Sequence, residues 1–430
     1  MVARFDTATA GFEAEFRDFL ARPRGEGASD LRATVSDIIA DVRKRGGAAV
    51  AEFTNRFDRL EVDHQSLQSE AVDLEALAAH CPAELRHAID FAAERIAAYH
   101  AAQRPADHSF TDSAGVELGW RWTPLDSVGV YVPGGRASYP SSVLMNVIPA
   151  KIAGVDRIVM VAPAPGGDLA PAVAYAADRA GVDVYYPIGG AQAVAALAYG
   201  AGDLAPVDKV VGPGNAWVAE AKRQVFGDVG IDTIAGPSEI LIIADQTANP
   251  EWIAADLLSQ AEHDPSSQSI LITVDATLGD AVARAVEGQL AELSTREVAE
   301  AAWRENGAII LASDLQVAAG LANQIAAEHL ELAIADPDGL LPEIRHAGAV
   351  FLGHHTPEAL GDYVTGSNHV LPTSRAARFS SGLGLYDFIK RMSVQRAGPQ
   401  GFSALSEAAS ILAQAEGLPA HGRSVTIRRN

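Results

Sequence analysis

From about residue 116 the chain alternates short, continuously apolar runs with longer alanine-rich segments. The apolar runs cover residues 127–132, 157–161, 182–187, 209–211, 239–244, 269–274, 308–311 and 350–352. Continuous apolar strands separated by helices are typical of parallel sheets that helices cover on both faces. Because the series is long and is interrupted at residues 235–239, it predicts an α/β fold with two parallel sheets rather than one.

The pattern on either side of this region is helical. Residues up to about 105 predict helices, among them one over 30–44 that ends at Gly46 and Gly47, and two within 74–99 that are broken near Cys81 and Pro82. Beyond Phe379 the pattern loosens into a tail with a helix predicted over 404–415. A tail too small to form its own core must pack on its own body or on a partner.

One predicted helix, entered at Asn249 and Pro250, carries candidate metal ligands at its end. Gln260 and His263 are one turn apart, so both side chains leave the same face. An imidazole beside an amide oxygen, with carboxylates close by, can start a site for a metal that accepts nitrogen and oxygen ligands. Taken alone, a histidine at a helix end is more often a cap or a satisfied polar group.

Composition narrows the class of protein. A chain of 430 residues with 48% hydrophobic and 20% charged side chains is large enough for two or more domains. The formal net charge of -22 disfavours nucleic acid or an anionic membrane as a partner. The only cysteine, Cys81, excludes an intramolecular disulfide and a cysteine-based zinc cluster. No signal peptide or membrane-spanning run is evident, so we expect a cytoplasmic protein.

Three glycine-rich turns follow predicted strands, at residues 132–135, 187–192 and 211–215. The latter two lead into helices, which is how a helix N-terminus is presented to an anion. None of them is the dinucleotide fingerprint G-x-G-x-x-G, because Trp217 stands at the third glycine position after Gly212 and Gly214. The turns fit a nucleotide site and ordinary strand–helix connections equally well.

Acid–base side chains are paired in the second half of the chain. Glu328 and His329 are adjacent in an alanine-rich segment that predicts a helix, and an adjacent acid and imidazole suit two proton transfers. An exposed surface pair is the alternative. A glycine-interrupted polar loop is predicted over residues 360–369, with Asp362 and His369, where Asp362 could equally be a cap. Residues 416–421 of the tail form either a further part of a site or a frayed terminus.

Long motifs occur in one order along the chain, and together they resemble the L-histidinol dehydrogenase family from about residue 35 to residue 421. The motifs are GVYVPGG (129–135), YPSSVLMNVIP (139–149), GGAQAVA (189–195), GPGN (212–215), AGPSE (235–239), LSQAEH (258–263), EHLE (328–331), GSNHVLP (366–372), FSS (379–381), and AE (415–416) followed by AH (420–421).

The resemblance implies a homodimeric zinc enzyme with shared active sites that oxidises L-histidinol through L-histidinal to L-histidine with two NAD⁺. By position it implies zinc ligands, which also contact substrate, at Gln260, His263, Asp362 and, from the partner's tail, His421. It further implies proton acceptors at Glu328 and His329, substrate contacts at Ser238, His329, His369 and Glu416, and NAD⁺ contacts at Tyr131, Gln192 and Asn215.

The implied architecture is a pair of incomplete Rossmann-like domains, as in aldehyde dehydrogenases. We expect an N-terminal segment (1–26), a discontinuous substrate and zinc domain (27–130 and 238–379), an NAD⁺-binding domain (131–237) and a tail that packs on the partner (380–430). Two other functions remain open: a dehydrogenase of the same fold that acts on another primary alcohol, and a non-catalytic dimer in which zinc holds the tail.

Overall fold

A computed structural model describes residues 2–22, 24, 28–134, 139–234 and 236–429. Gly135 and Ala235, which belong to two of the motifs above, lie outside these residues. The helices are α1 (Phe12–Leu20), α2 (Ala28–Arg45), α3 (Gly47–Asp58), α4 (Leu74–Ala79), α5 (Ala83–Ala101), α6 (Pro140–Ala153), α7 (Pro171–Ala180), α8 (Gly190–Tyr199), α9 (Ala216–Val225), α10 (Pro250–Ala261), α11 (Ala276–Leu290), α12 (Arg296–Asn306), α13 (Leu315–Ile325), α14 (Pro337–Leu340), α15 (Glu358–Tyr363), α16 (Pro399–Ala415) and α17 (Pro419–Thr426).

The strands form three sheets. They are β1 (Ala3–Asp6), β2 (His108–Thr111), β3 (Val116–Pro124), β4 (Ser127–Tyr131), β5 (Arg157–Val161), β6 (Val184–Tyr186), β7 (Lys209–Val211), β8 (Gly230–Ile231), β9 (Glu239–Ala244), β10 (Gln268–Thr273), β11 (Ala308–Leu311), β12 (His329–Ala333), β13 (Ala349–Leu352) and β14 (Ile389–Ala397). The sheet orders are β6-β5-β4-β7-β8, β1-β11-β10-β9-β12-β13 and β14-β3-β2.

Both larger sheets are parallel throughout, which confirms the predicted pair of parallel sheets. If the strands of each are counted from β4 and from β9, both sheets run 3-2-1-4-5, and β1 is added at one edge of the second sheet. This is the dinucleotide-binding order without its sixth strand. The incomplete Rossmann-like architecture is therefore present twice.

Helices cover both faces of each large sheet, and the cores lie in between. On the five-stranded sheet, α5, α6 and α7 pack on one face, while α2, α8 and α9 pack on the other. On the six-stranded sheet, α1 and α13 lie on one face, and α10, α11 and α12 on the other. Burial on both faces explains why β9 is apolar after Glu239 and why the centre of β10, residues 270–272, is continuously apolar.

Several elements differ from the sequence predictions. The helical reading of the N-terminal region was wrong for β1, which pairs with β11 at a distant part of the chain. The three-stranded antiparallel sheet was missed because β2 and β14 are largely exposed and therefore lack a long apolar run. The predicted helices within 30–44 and 74–99 are confirmed as α2, α4 and α5, and the tail helix is confirmed as α16, which begins at Pro399.

The tail leaves the body along β14, which pairs antiparallel with β3 over its full length. Its helices α16 and α17 bury few side chains, and large apolar side chains remain exposed on the tail: Met392, Val394, Leu405, Ile411, Leu412, Leu418 and Ile427. The four predicted domain ranges stay a prediction; in the packing described here, β4 is the central strand of the five-stranded sheet, and α2 and α5 pack on that sheet.

No helix in the described ranges combines the length and the apolar character that crossing a bilayer requires.

The position of β7 between β4 and β8 gives a test of the core. Val210 is fully buried at 0% exposure, whereas Val184 in the edge strand β6 is 36% exposed. We expect Val210→Ala to lower the free energy of unfolding by about 2 kcal/mol, because the lost methyl groups leave a cavity. The matched Val184→Ala should change it by less than about 0.5 kcal/mol. Urea unfolding midpoints measure both; equal losses would contradict this account of the core.

Candidate active site

A cavity of about 700 Å³ lies between the two parallel sheets. Residues that follow the carboxyl ends of β4 and β7 line one side of it, namely Pro133 and 213–215. The other side comes from the amino ends of the second sheet, with Ser238 just before β9 and His329 at the start of β12. The carboxyl edge of one sheet thus faces the amino edge of the other across the cavity.

Glu328 and His329 lie at the floor of this cavity and are buried, with exposures of 7% and 3%. The helix predicted for them was wrong. Helix α13 ends at Ile325, Ala326 adopts a left-handed conformation at φ 51°, and the chain enters strand β12, which pairs with β9 and β13 on either side. Pairing in the centre of a parallel sheet outweighs the helix propensity of the alanines.

The peptide of Glu239 in β9 orients both side chains. Its carbonyl oxygen accepts a hydrogen bond of 3.0 Å from Nδ1 of His329, so Nδ1 carries the proton. Its amide donates a 2.9 Å hydrogen bond to Oε2 of Glu328. The other imidazole nitrogen of His329, Nε2, is buried without a hydrogen-bond partner among the described residues. It lies 3.7 Å from Oδ1 of Asp362. Because the Glu239 carbonyl already engages Nδ1, Nε2 is the ring nitrogen that is available to a ligand.

Burial and charge shift the pKa values of the pair. Burial raises the pKa of Glu328 to about 7, against the opposing effects of the His329 charge and the Glu239 amide. Burial by itself would lower the pKa of His329, but the carboxylates of Glu328, Asp362 and Glu358 raise it to about 10. A carboxyl group whose pKa is near neutrality, next to an imidazole, is an arrangement suited to proton transfer.

Asp362 lies on helix α15, which corrects the predicted loop over 360–369 in its first part. The carboxylate is mostly buried, and burial would raise its pKa, but His329 lowers it to about 2. Glu358, one helical turn earlier, was missed by the sequence reading. It is 2% exposed, its Oε1 is 3.9 Å from His329 Nε2, and burial raises its pKa to about 8. The i, i+4 spacing of two acids was the available signal.

Gln260 and His263 reach the same cavity from the end of α10. The predicted entry to this helix is confirmed, with Asn249 as the N-cap that accepts a hydrogen bond from the Glu251 amide. The helix ends at Ala261, so His263 lies in the turn that follows. Gln260 is 1% exposed, and its Oε1 has no hydrogen-bond partner within the described ranges.

These donors match the chemistry of a cation site. Ligand atoms of His329, Glu358 and Asp362 lie within 4.8 Å of one another. Two buried atoms without partners, Gln260 Oε1 and His329 Nε2, belong to the same cavity. Buried polar atoms are normally satisfied, so their lack of a partner in this protein indicates a ligand. Imidazole, carboxylate and amide oxygen together suit zinc and similar divalent metals.

His369 lines the cavity beside Asp362. Its Nδ1 donates a 3.0 Å hydrogen bond to the carbonyl oxygen of Asp362, and its Nε2 is 3.4 Å from the hydroxyl of Ser142. Burial lowers the pKa of His369. Ser238 lines the same cavity. The expected substrate contacts Ser238 and His369 therefore lie together with Glu328 and His329.

A second cavity of about 820 Å³ contains the expected coenzyme residues Tyr131, Gln192 and Asn215. It lies at the carboxyl ends of β4 and β7, where the strand order reverses, the usual place for a ligand in an open α/β sheet. The Tyr131 hydroxyl accepts a 3.1 Å hydrogen bond from the Gly190 amide, and burial raises its pKa to about 12. Asn215 caps α9 and lines both cavities, so the two adjoin.

Two expected residues do not reach the site within one chain. Glu416 ends α16 and His421 lies in α17, and both are exposed. Neither lines either cavity. Their predicted roles are compatible with this arrangement only if a second chain supplies them.

The sequence reading also missed Arg24 and Ser374. The Arg24 guanidinium forms an ion pair with the Glu239 side chain, and the Ser374 amide donates a 3.2 Å hydrogen bond to the same carboxylate. They act on the site through Glu239, whose peptide orients Glu328 and His329. Contacts between such distant chain segments leave no local sequence signal.

Comparison with known proteins identifies the family to which this chain belongs. The family model for histidinol dehydrogenase matches residues 21–429. Histidinol dehydrogenase of Cereibacter sphaeroides is 58% identical over 423 residues, which are 98% of this chain and 97% of the relative. That of Rhizobium meliloti is 57% identical over 430 residues, covering 100% and 99%. The crystal structure of histidinol dehydrogenase from Elizabethkingia anophelis is 35% identical, with a TM-score of 0.93 and coverage of 99% and 98%.

Proposed function

The chain belongs to the histidinol dehydrogenase family, and on that premise we propose that it oxidises L-histidinol through L-histidinal to L-histidine with two NAD⁺. The observation that carries the proposal is the buried pair Glu328 and His329 at the floor of a cavity that adjoins the expected coenzyme cavity. Two oxidations at one carbon need two proton acceptors, and the pair supplies two. We place the reaction in the cytoplasm, as the sequence predicts.

We propose zinc as the metal, held by Gln260, His263, Asp362 and His421 of the partner subunit. The unpartnered Oε1 of Gln260 and the position of His263 and Asp362 around one cavity support this set. When bound, zinc would act as a template that accepts the imidazole and amine nitrogens of the substrate and fixes the position of the carbinol carbon. The neutral amide ligand keeps the site less anionic than a third carboxylate would.

His329 takes the alcohol proton in the first oxidation, while the hydride passes to the first NAD⁺. Its Nδ1 is held as a donor by the Glu239 carbonyl, so Nε2 is the accepting atom. Only the neutral imidazole accepts a proton, and the carboxylates that hold the pKa of His329 near 10 oppose that state. With a cation held at Asp362, that carboxylate would favour the charged imidazole less, which would lower the pKa of His329.

Glu328 acts in the second oxidation, after NADH has been replaced by a second NAD⁺. As a carboxylate it takes a proton from the water that adds to the bound aldehyde, and the hydrate then gives its hydride to NAD⁺. A pKa of about 7 leaves a large carboxylate fraction at neutral pH. The hydrogen bond from the Glu239 amide to Oε2 fixes the direction of the carboxylate, leaving Oε1 as the proton acceptor.

We propose that the active protein is a homodimer whose tails complete the opposite sites. The tail exposes large apolar side chains, and its Glu416 and His421 do not line the cavity of their own chain. Exchange of the tails would bury the apolar side chains and would bring both residues to the partner's cavity. Glu416 then faces the substrate, and His421 supplies the remaining metal ligand.

The first test is NADH formation from L-histidinol, followed at 340 nm as absorbance. We expect about two NADH per histidinol consumed, loss of the activity on chelation and recovery on addition of zinc. NADH from a different primary alcohol, with none from L-histidinol, would contradict the substrate. Zinc binding without NADH from any alcohol would contradict the enzymatic function and favour a structural metal.

Separate assays of the two oxidations test the division of roles. Glu328→Gln should lower the rate on supplied L-histidinal by about 10²–10⁴-fold, because the amide cannot accept a proton. The rate of the first oxidation should fall far less. In the parent, aldehyde oxidation should rise as the pH increases through about 7, since only the carboxylate form of Glu328 is active.

The matched control for that test is His329→Gln, which should impair the alcohol step at least as strongly as the aldehyde step. Equal losses in both oxidations for Glu328→Gln would disprove the assignment. A pH dependence that survives in Glu328→Gln would show that another group titrates.

Mixing two inactive variants tests the shared site. His421→Ala and Glu328→Gln should each form little L-histidine as homodimers, yet a heterodimer contains one site with no substitution, and formation of L-histidine is the activity measured. After complete subunit exchange we expect about a quarter of the parent activity, because about half of the dimers are mixed and each has one intact site. Native mass spectrometry verifies the exchange. No recovery in a verified mixture would contradict the proposal.

A further inference from the structure

The turn over residues 212–215, which borders both cavities, is held in place by a buried ion pair. Lys222 belongs to α9 and Asp232 follows β8, and their side chains are 2% and 3% exposed. Their charged groups contact each other directly. Neither residue lines either cavity, and neither belongs to the proposed chemistry.

Both charged groups also bind the peptide groups of one residue, Gly212. The Lys222 ammonium donates a 2.9 Å hydrogen bond to the Gly212 carbonyl oxygen, and the Gly212 amide donates a 2.8 Å hydrogen bond to Oδ2 of Asp232. The residue that begins the turn after β7 is therefore held on both sides of its backbone.

The turn leaves little room for another conformation. Gly212 has a φ of +110°, and a Cβ at this position would lie 2.1 Å from the carbonyl oxygen of Tyr131. A Cβ on Gly214 would lie 2.5 Å from Val218. The side chain of Asn215 ends the turn by accepting hydrogen bonds from two amides of α9. A small shift of Gly212 therefore moves Asn215, which lines both cavities.

A buried ion pair is a poor device for stability alone, because desolvation of the two charges offsets most of their attraction and apolar replacements are often as stable. What apolar side chains cannot do is bind an amide and a carbonyl at the same time. We propose that Lys222 and Asp232 are positioning residues for the coenzyme. They fix the position of the 212–215 turn and, through it, that of Asn215, an expected coenzyme contact. This inference rests on the proposed function.

The test replaces the pair by apolar side chains of similar size, Lys222→Met with Asp232→Leu. We expect a folded protein with zinc content within about two-fold of the unsubstituted protein and a smaller change in the KM for L-histidinol than in the KM for NAD⁺. The KM for NAD⁺ should rise at least about ten-fold, with a smaller change in kcat at saturating NAD⁺. A merely structural pair would lower the midpoint of thermal unfolding and leave the KM for NAD⁺ unchanged.

The matched control is Lys151→Met with Asp183→Leu. Lys151 belongs to α6, which packs on the five-stranded sheet, and Asp183 also accepts a backbone hydrogen bond, of 2.7 Å from the Ile158 amide. The side chains of this pair are 32% and 38% exposed, and neither forms a hydrogen bond to Gly212. Its removal should leave the KM for NAD⁺ within about two-fold of the parent.

If the apolar double variant does not fold, Asp232→Asn decides the question. It keeps the shape and an acceptor for the Gly212 amide and removes only the charge that holds Lys222. We expect a rise of about three-fold or more in the KM for NAD⁺ at unchanged zinc content. An unchanged KM for NAD⁺ in a folded variant overturns the inference. A parent protein that forms no NADH from L-histidinol overturns the proposed function instead.

Discussion

The site is governed by an excess of buried carboxyl groups around one imidazole. Glu328, Glu358 and Asp362 surround His329, and Glu331 lies behind them against Asp256. Burial raises the pKa of Glu331 and also that of Asp256, the latter to about 6. One imidazole cannot neutralise the three carboxyl groups around it if all of them are ionised. A divalent cation next to Asp362, as proposed above, would offset this excess.

The fold produces this concentration of charge by its sheet arrangement. Two units of the same strand order face each other with opposite edges, so the residues expected to bind the coenzyme come from carboxyl ends and those expected to transfer protons come from amino ends. The amino end of β12 is enclosed by β9 and β13, which buries His329 far more deeply than a loop would. The helices α10 and α15 then bring Gln260 and Asp362 to the same edge. Rigid elements, rather than loops, thus set most of the distances in the site.

Sequence reasoning could predict what local pattern determines. The apolar runs identify both parallel sheets, because their strands are buried on both faces, and the Asn249 cap identifies the start of α10. The sequence predicted a helix at β12 because the segment that precedes it is rich in alanine. Pairing with the neighbouring strands β9 and β13 makes it a strand instead. The exposed strand β14 has no apolar period to detect. Glu358 and Lys222 were missed because their partners are distant in sequence. The resemblance to a family supplied the site residues that spacing alone had left open, and their roles stay predictions until tested.

Asn215 lines both cavities, and the expected coenzyme residues Tyr131 and Gln192 belong to one while the expected substrate residues Ser238 and His369 belong to the other. Under the proposed function, exchange of NADH for a second NAD⁺ then leaves the groups around the aldehyde in place. A reactive aldehyde would condense with amines of other proteins if it were released. The arrangement of two adjoining cavities would thus let one coenzyme site serve both oxidations without release of the intermediate.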